Sequence, residues 1–309
     1  MSARITSTLI EGVAEGAIKS AWLQWRSLGA RVTASGRSRW IVDPEALVLV
    51  SLALRTHERR LWDVLSSWAM TDSGVLSVQR IKNLKAKYPN RINDRLGEFA
   101  RVAFEEGGDF RWRNLAGPKP APRARGKMLK GPSSKGWDPA ALIVRLRLGL
   151  GVGLQADVLA FLISLRGAWA SARYIADATD YNVYAIRRTA DRMAEAQFIE
   201  STAGKPLEYR ADSKAWKGFL RSGEDVPPWR FWHQAYAMVA DLLDQVEHGG
   251  LEAPSSYLLS SRLRDLVEKH QDALRLNEIA YPEAQPATGE EYKDAFVGVV
   301  QNLTRWLAE

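Results

Sequence analysis

The sequence predicts a mainly α-helical protein with a small amount of β-structure. Apolar residues recur three to four positions apart through most of the 309-residue chain, which is the period of an amphipathic helix. The alternation typical of a half-buried strand is almost absent, and the one good candidate is a hairpin that pairs Phe198–Thr202 with Leu207–Arg210. A hydrophobic fraction of 46% and a charged fraction of 26% are those of a globular protein.

Residues 1–116 are predicted to form a helical N-terminal domain. Asp43 before Pro44 is a typical helix start, because the aspartate caps free backbone N–H groups and proline suits the first helical position. Apolar stripes and caps place the helices of this domain at Ser7–Leu28, Pro44–Leu54, Glu58–Met70, Ser77–Tyr88 and Arg91–Glu106.

A basic segment, residues 117–136, separates this domain from the next. It is rich in Pro and Gly, contains six cationic residues and has no acidic one, which is the composition of a linker. Two interpretations remain open for it. It is either a solvated tether or a basic arm that lies along a phosphate backbone or in a minor groove.

Residues 213–309 are predicted to form an acidic, helical C-terminal part that serves dimerisation or partner binding. Its helices are expected at Pro228–Glu247, Ser255–Leu274 and Gly289–Ala308. This part carries 10 Lys and Arg against 15 Asp and Glu, whereas residues 1–212 carry 33 against 21. A basic body joined to an acidic C-terminal part indicates a polyanionic partner for the first two thirds of the chain.

The most informative stretch is the remaining segment, residues 137–212. It opens with a cap and a proline at Asp138-Pro139, and a helix is expected to begin at Leu154. The elements that follow are a short helix Ala172–Ala178 capped by Ser171, a tight turn Thr179–Tyr181, a helix Val183–Ala196 capped by Asn182, and the hairpin with its tip at Ala203–Pro206. The predicted order is therefore helix, helix, turn, helix and a two-stranded wing.

This order resembles the winged helix-turn-helix of bacterial transcription regulators of the MarR and ArsR kind. The features that carry the resemblance are Ile175-Ala176, the turn Thr179–Asn182, the pair Ile186 and Met193, and the ending Ala194–Ile199. They cover about sixty residues of the chain, and the rest resembles no family. Members usually have Gly where this chain has Gln197, since Gly suits a left-handed position after a helix. The resemblance implies duplex DNA as the partner.

The side chains of the third helix fit that expectation. With Ile186, Ala190 and Met193 buried, the opposite face presents polar residues that can enter a major groove. Asn182 is either a base contact or only the cap of the helix. The DNA-contacting residues expected in this unit are Ser171, Arg173, Asn182, Tyr184, Arg187, Arg188 and Lys205.

The N-terminal domain contains a second basic patch. The stretch Gln79–Arg95 has a net charge of +5, and Arg80, Lys82 and Lys85 are expected to contact DNA. The spacing is compatible with a degenerate helix-turn-helix in which Ser77 caps the reading helix. The alternative is a helical docking domain with a basic outer face.

Enzymatic chemistry finds little support in the sequence, and no catalytic, cofactor or metal site is expected. There is no cysteine, the four histidines lie far apart, and neither a nucleophile elbow nor a phosphate-binding loop is present. The glycines of Gly149–Gly153 lack the spacing of a dinucleotide fingerprint and predict a turn before the Leu154 helix. No apolar run predicts a membrane span and no signal peptide is evident, so a cytoplasmic protein is expected.

The sequence thus favours a sequence-specific duplex DNA-binding regulator that acts as a homodimer, because palindromic half-sites require two readers about one helical turn apart. Two other functions remain open. One is a replication or partition initiator of the plasmid type, and the other is an antitoxin or defence-system component whose winged helix regulates its own operon.

Overall fold

The computed structural model describes residues 3–31, 36–117, 138–216, 225–249, 251, 255–281 and 290–309. The chain is mainly helical with one small antiparallel sheet. Except for Gly117, the predicted linker lies outside the described residues. None of the described helices is long and apolar enough to cross a membrane.

The described part of the chain contains fourteen α-helices and three short β-strands. The helices are α1 (Ala3–Ser27), α2 (Pro44–Ala53), α3 (Arg60–Thr71), α4 (Val78–Leu84), α5 (Arg91–Arg101), α6 (Leu142–Leu150), α7 (Leu154–Ser164), α8 (Ala172–Thr179), α9 (Val183–Glu195), α10 (Ser213–Trp216), α11 (Trp232–Glu247), α12 (Ser256–Lys269), α13 (Gln271–Leu276) and α14 (Glu290–Ala308). The strands are β1 (Ala170–Ser171), β2 (Glu200–Ser201) and β3 (Glu208–Arg210).

The larger hydrophobic core is built from both ends of the chain. α1 packs along α14, and α2 packs against α11. Trp25 and Phe99 from the N-terminal helices lie in the same core as Phe296 and Leu303 from α14, and all four are at most 1% exposed. The helices of the predicted N-terminal domain and C-terminal part therefore share one core. The faces of α11 and α14 that meet α1 and α2 are covered within the chain, whereas Tyr257 of α12 is 77% exposed.

A second core is built mainly from residues 142–211, and Ile41 and Phe231 from other parts of the chain also contribute to it. It joins α7, α8 and α9 through buried side chains such as Leu162, Ile175, Ile186 and Met193. The sheet order is β1-β3-β2, and both outer strands pair antiparallel with β3. Tyr209 of β3 is buried, so the sheet packs against the helices of this unit.

The predicted helix starts are confirmed where a capping side chain marks them. Asp43 accepts a hydrogen bond from the N–H of Ala46 at 3.1 Å, and Asn182 accepts one from the N–H of Tyr184 at 2.8 Å. The predicted hairpin is also confirmed, although its strands are shorter than expected. Strand β1 was not predicted, because two residues are too few to show an alternating pattern.

Two C-terminal predictions are wrong in their bounds. α11 begins at Trp232 and not at Pro228, because the carbonyl of Pro228 accepts a hydrogen bond from the N–H of Ile41 at 3.0 Å and the chain there is not helical. The predicted helix Ser255–Leu274 is two helices, α12 and α13, which meet at His270. At this break the ring Nε2 of His270 lies 2.9 Å from a carboxylate oxygen of Asp241 on α11.

Candidate nucleic-acid interface

The turn between α8 and α9 sets the direction of α9. α8 ends at Thr179, and Asp180 adopts the left-handed conformation with φ 58° and ψ 38°. Asn182 is extended and caps α9 through its side-chain oxygen. The two helices then pack on each other and on α7, with Ile175 and Ile186 fully buried. The opposite side of α9 is left facing solvent.

The solvent face of α9 is cationic and aromatic. Tyr184 is 74% exposed, one of the most exposed large hydrophobic side chains in the described part of the protein. Arg187 and Arg188 are exposed, and neither forms an ion pair with another described residue. Guanidinium groups that are charged, exposed and unpaired are available to a polyanion.

Arg192 extends this face and was not predicted. It is exposed, lies one helical turn after Arg188 and forms no ion pair within the described ranges. The i, i+4 spacing of Arg188 and Arg192 places both on one side of the helix. That spacing is visible in the sequence and was the signal that could have identified Arg192.

The acidic side chains around α9 are largely engaged in local contacts. Asp177 pairs with Arg173 at 3.2 Å, and Glu200 pairs with Arg210 at 2.7 Å across the hairpin. Asp191 accepts a hydrogen bond from the hydroxyl of Tyr209 at 2.6 Å. Burial and this hydrogen bond raise the pKa of Tyr209, so the phenol keeps its proton. These contacts occupy three of the carboxylates near α9, whereas Glu195, in the last turn of α9, is exposed and forms no ion pair with a described residue.

The other residues predicted in this unit have different surroundings. Ser171 caps α8, where its hydroxyl accepts a hydrogen bond from the N–H of Tyr174 at 3.2 Å. Arg173 is exposed but paired with Asp177. Lys205 is exposed at the tip between β2 and β3. The cap role accounts for the positions of both Ser171 and Asn182.

The prediction that Arg80 contacts DNA is wrong. Its side chain is 2% exposed, so it does not reach a ligand at the surface. The guanidinium donates to both carboxylate oxygens of Asp43 and to Glu45, and the distance to Glu45 is 2.8 Å. Its Nε donates to the carbonyl of Thr179 at 2.8 Å. Arg80 is therefore a structural residue that ties α4 to α2 and to the end of α8.

A second buried arginine continues this network. Arg147 of α6 donates to both oxygens of Asp157 at 2.8 Å and also binds Glu45. The hydroxyl of Tyr181, in the turn before α9, donates to Asp157 at 3.0 Å. The α8–α9 turn is thus held to α2 and α4 by paired, hydrogen-bonded charges.

The rest of the predicted N-terminal basic patch divides by residue type. The arginines are used internally: Arg91 forms ion pairs with Asp244 and Glu247, and Arg95 donates to the carbonyl of Leu52 at 2.8 Å. Lys82 and Lys85 are partly exposed and form no ion pair with a described residue. α4 is only seven residues long and its central arginine is buried, which makes it a poor independent reading helix.

Over the part of the chain that the structure describes, no group of three or more His, Asp or Glu side chains is arranged to hold a metal ion. Gly149 and Leu150 are the last residues of α6, and the connection to α7 is made by residues 151–153, in which Gly151 has φ 88°. Comparison with protein-family models, curated proteins and solved structures found no match for this chain.

Proposed function

We propose that this protein is a sequence-specific duplex DNA-binding regulator in which α9 enters the major groove. The observation that carries the proposal is the two-sided character of α9. Ile186, Ala190 and Met193 are at most 3% exposed, whereas the opposite face bears Tyr184, Arg187, Arg188 and Arg192 in solvent. A helix that reads a groove needs one packed face and one free polar face.

The arrangement around α9 supports this function. The order α7, β1, α8, α9, β2, β3 is the order expected of a winged helix-turn-helix, and the order β1-β3-β2 places the wing hairpin beside the helices. Lys205 at the hairpin tip is exposed, which suits a contact to phosphate or to a minor groove. A reading helix and a wing then meet the duplex at two neighbouring positions.

The α9 side chains divide into two roles under this proposal. Arg187 and Arg188 read base edges, with guanine as the favoured partner because its O6 and N7 accept two hydrogen bonds from one guanidinium. Arg192, farther along the helix, and Lys205 bind phosphates and set the register of the protein on the duplex. Tyr184 contacts apolar groups such as the thymine methyl, since its ring is 74% exposed at the start of the helix.

The regulator is proposed to bind as a homodimer on a palindromic site. Two copies of α9 about 34 Å apart would read half-sites one helical turn apart. Because one face of α11 and of α14 packs on the N-terminal helices within the same chain, a dimer would use surfaces that these contacts leave exposed. Sedimentation of the protein with and without its DNA site measures the number of chains bound.

The test begins with selection of duplexes from a randomised library by the full-length protein. Fluorescence anisotropy then compares the selected duplex with a scrambled one of equal length. We expect the selected duplex to bind at least ~10³-fold more tightly, the lower end for specific DNA-binding proteins. The double variant Arg187→Ala/Arg188→Ala should lose this preference, whereas Arg59→Ala, an exposed arginine beside α3, should keep it. Equal affinity of the parent for both duplexes would overturn the proposal.

A further inference from the structure

We propose that Lys82 and Lys85 of the predicted N-terminal domain bind the phosphate backbone of the same duplex that α9 enters. The proposal rests on the proposed function of α9 and extends it. The N-terminal patch is then not a second reader with its own site, but a flank of the α9 interface.

The first step of the argument is the direct attachment of α4 to the α8–α9 turn. Arg80 of α4 donates from Nε to the carbonyl of Thr179, the last residue of α8, at 2.8 Å. The next residue, Asp180, forms an ion pair with Lys87, which follows α4 in a short 3₁₀ turn. α4 and the 3₁₀ turn that follows it therefore contact two successive residues, Thr179 and Asp180, at the end of α8.

The second step is the rigidity of this attachment. Arg80 is buried and bound by Asp43 and Glu45, and Glu45 also receives a hydrogen bond from Arg147 at 3.0 Å. Arg147 in turn holds Asp157, which accepts a hydrogen bond from Tyr181 in the turn. A closed network of this kind fixes α4 and the start of α9 in one geometry. Contacts made by a preorganised surface lose little entropy on binding.

The third step is distance. Lys85 lies two residues from Lys87, and Asp180 lies two residues before Asn182, the cap of α9. Since successive Cα atoms are ~3.8 Å apart, each of these separations is at most ~7.6 Å. A helix in a major groove ~12 Å wide is bordered by phosphates of both strands. Lys85 is thus two residues from an ion pair whose other partner lies two residues before the cap of α9, and Lys82 lies one helical turn before Lys85. From these positions we expect both lysines to meet a phosphate that borders the α9 helix.

The fourth step is the chemistry of the lysines. Lys82 and Lys85 are three residues apart, so they lie on one side of the helical segment, while Ile81 and Leu84 are buried on the neighbouring face. Neither lysine is ion-paired within the described parts of the chain. A lysine ammonium is a compact charge that binds phosphate without the two-pronged geometry used to read guanine. These contacts are therefore expected to add affinity without adding sequence preference.

The experiment measures the salt dependence of binding by the full-length protein to the selected and the scrambled duplex. For Lys82→Ala/Lys85→Ala we expect the slope of log affinity against log salt to fall by about two units, one for each phosphate that the variant no longer binds. The ratio of affinities for the two duplexes should stay that of the parent. Lys82→Arg/Lys85→Arg should keep the parent slope. The matched control is Lys19→Ala/Arg59→Ala, which removes two exposed cations, one from α1 and one from the residue before α3. This control should keep the parent slope.

A hydroxyl-radical footprint locates the contact. The parent should protect backbone positions on one side of the α9 half-site that the double lysine variant leaves open, and thermal unfolding of both proteins checks that the variant is folded. An unchanged slope and footprint in a folded Lys82→Ala/Lys85→Ala protein would overturn this inference while leaving α9 as the reader. A parent protein that binds no duplex would overturn the proposed function, and this inference with it.

Discussion

Arg187 and Arg188 provide the most direct test of how α9 reads DNA. Replacing either with Ala should weaken specific binding by ~1–3 kcal/mol, because alanine cannot form the bidentate hydrogen bonds of a guanidinium. If the residue reads a base, discrimination at one base pair relaxes. If it binds a phosphate, all duplexes weaken alike and the salt slope falls by about one unit. Anisotropy titrations on a set of single-base-pair variants measure both outcomes.

The control for these variants is Met193→Ala on the buried side of the same helix. Met193 is 3% exposed, so its truncation leaves a cavity and should lower the free energy of unfolding by ~2–5 kcal/mol. The arginine variants should stay within ~0.5 kcal/mol of the parent, since exposed substitutions away from caps rarely matter more. If both arginine variants bind the selected duplex as the parent does, α9 is not the reading helix.

Arg80 should be critical for stability and not for charge-driven contact with a ligand. Arg80→Met removes the cation that two buried carboxylates, Asp43 and Glu45, share. Breaking a buried ion pair leaves an uncompensated charge, so the free energy of unfolding should fall by ~3–5 kcal/mol. Urea denaturation measures this decrease in the free energy of unfolding. The matched control is Arg188→Met, which replaces an exposed arginine. A decrease below ~1 kcal/mol would mean that the network is unimportant for folding.

The role of Arg80 was not predictable from the basic patch that contains it. A count of charges along the sequence treats every arginine as a surface group, whereas the partners of Arg80 lie 35 and 37 residues away. A signal was nevertheless present in the apolar segments. Glu45, Arg147 and Asp157 each lie among aliphatic residues that had to be buried, and buried charges are paired. Reading those three residues together would have predicted an internal network.

α9 shows why some elements were predictable to within one residue. Asn182 marks its start, and Ile186, Ala190 and Met193 repeat at the helical period on its buried side, so both its position and its orientation were encoded locally. α11 lacked such a signal. Its start depends on the hydrogen bond between Pro228 and Ile41, a contact between distant parts of the chain.

Gln197, the residue that ends the α9 segment, has a measurable conformational cost. Its φ of 61° is left-handed, a conformation that glycine adopts freely and other residues adopt at a cost of ~1–2 kcal/mol. Gln197→Gly should therefore leave the free energy of unfolding unchanged or raise it by up to ~1 kcal/mol, because relief of strain is partly offset by the greater freedom of glycine in the unfolded chain.

The β-branched variant Gln197→Val is the contrasting change at the same site. Valine tolerates a positive φ poorly, so this protein should be less stable than the parent. In thermal unfolding, the midpoint temperature of Gln197→Gly should be equal to or higher than that of the parent. The midpoint of Gln197→Val should be lower than that of the parent. A glycine variant clearly less stable than the parent would mean that the side chain of Gln197 makes a stabilising contact that outweighs its strain.

The division of the chain into domains was the part of the fold that local patterns described least well. The sequence shows that α1, α11 and α14 each have an apolar face, but not which faces meet. In the structure the first and last helices pack together and share a core. The amino-acid composition divides the chain into a basic part, residues 1–212, and an acidic part, residues 213–309. The two hydrophobic cores do not divide at this point.

His233 should make the stability of the whole protein depend on pH. It is fully buried in α11, and neither ring nitrogen has a hydrogen-bond partner among the described residues. Burial, followed by the charge of Arg80, lowers the pKa of His233 from 6.5 to about 3. The unfolded chain therefore binds a proton between these two values and the folded protein does not. By linkage, the free energy of unfolding falls as the pH drops below 6.5.

The size of this effect follows from the two pKa values. Each pH unit within the window costs ~1.4 kcal/mol, so the free energy of unfolding should fall by about 2 kcal/mol between pH 7 and pH 5 from this group. Urea denaturation at several pH values measures the slope. His233→Leu places an apolar group of similar size in the core. This variant should lack the part of the pH slope that comes from His233. Identical slopes for the parent and His233→Leu would show that His233 takes up a proton without unfolding the protein.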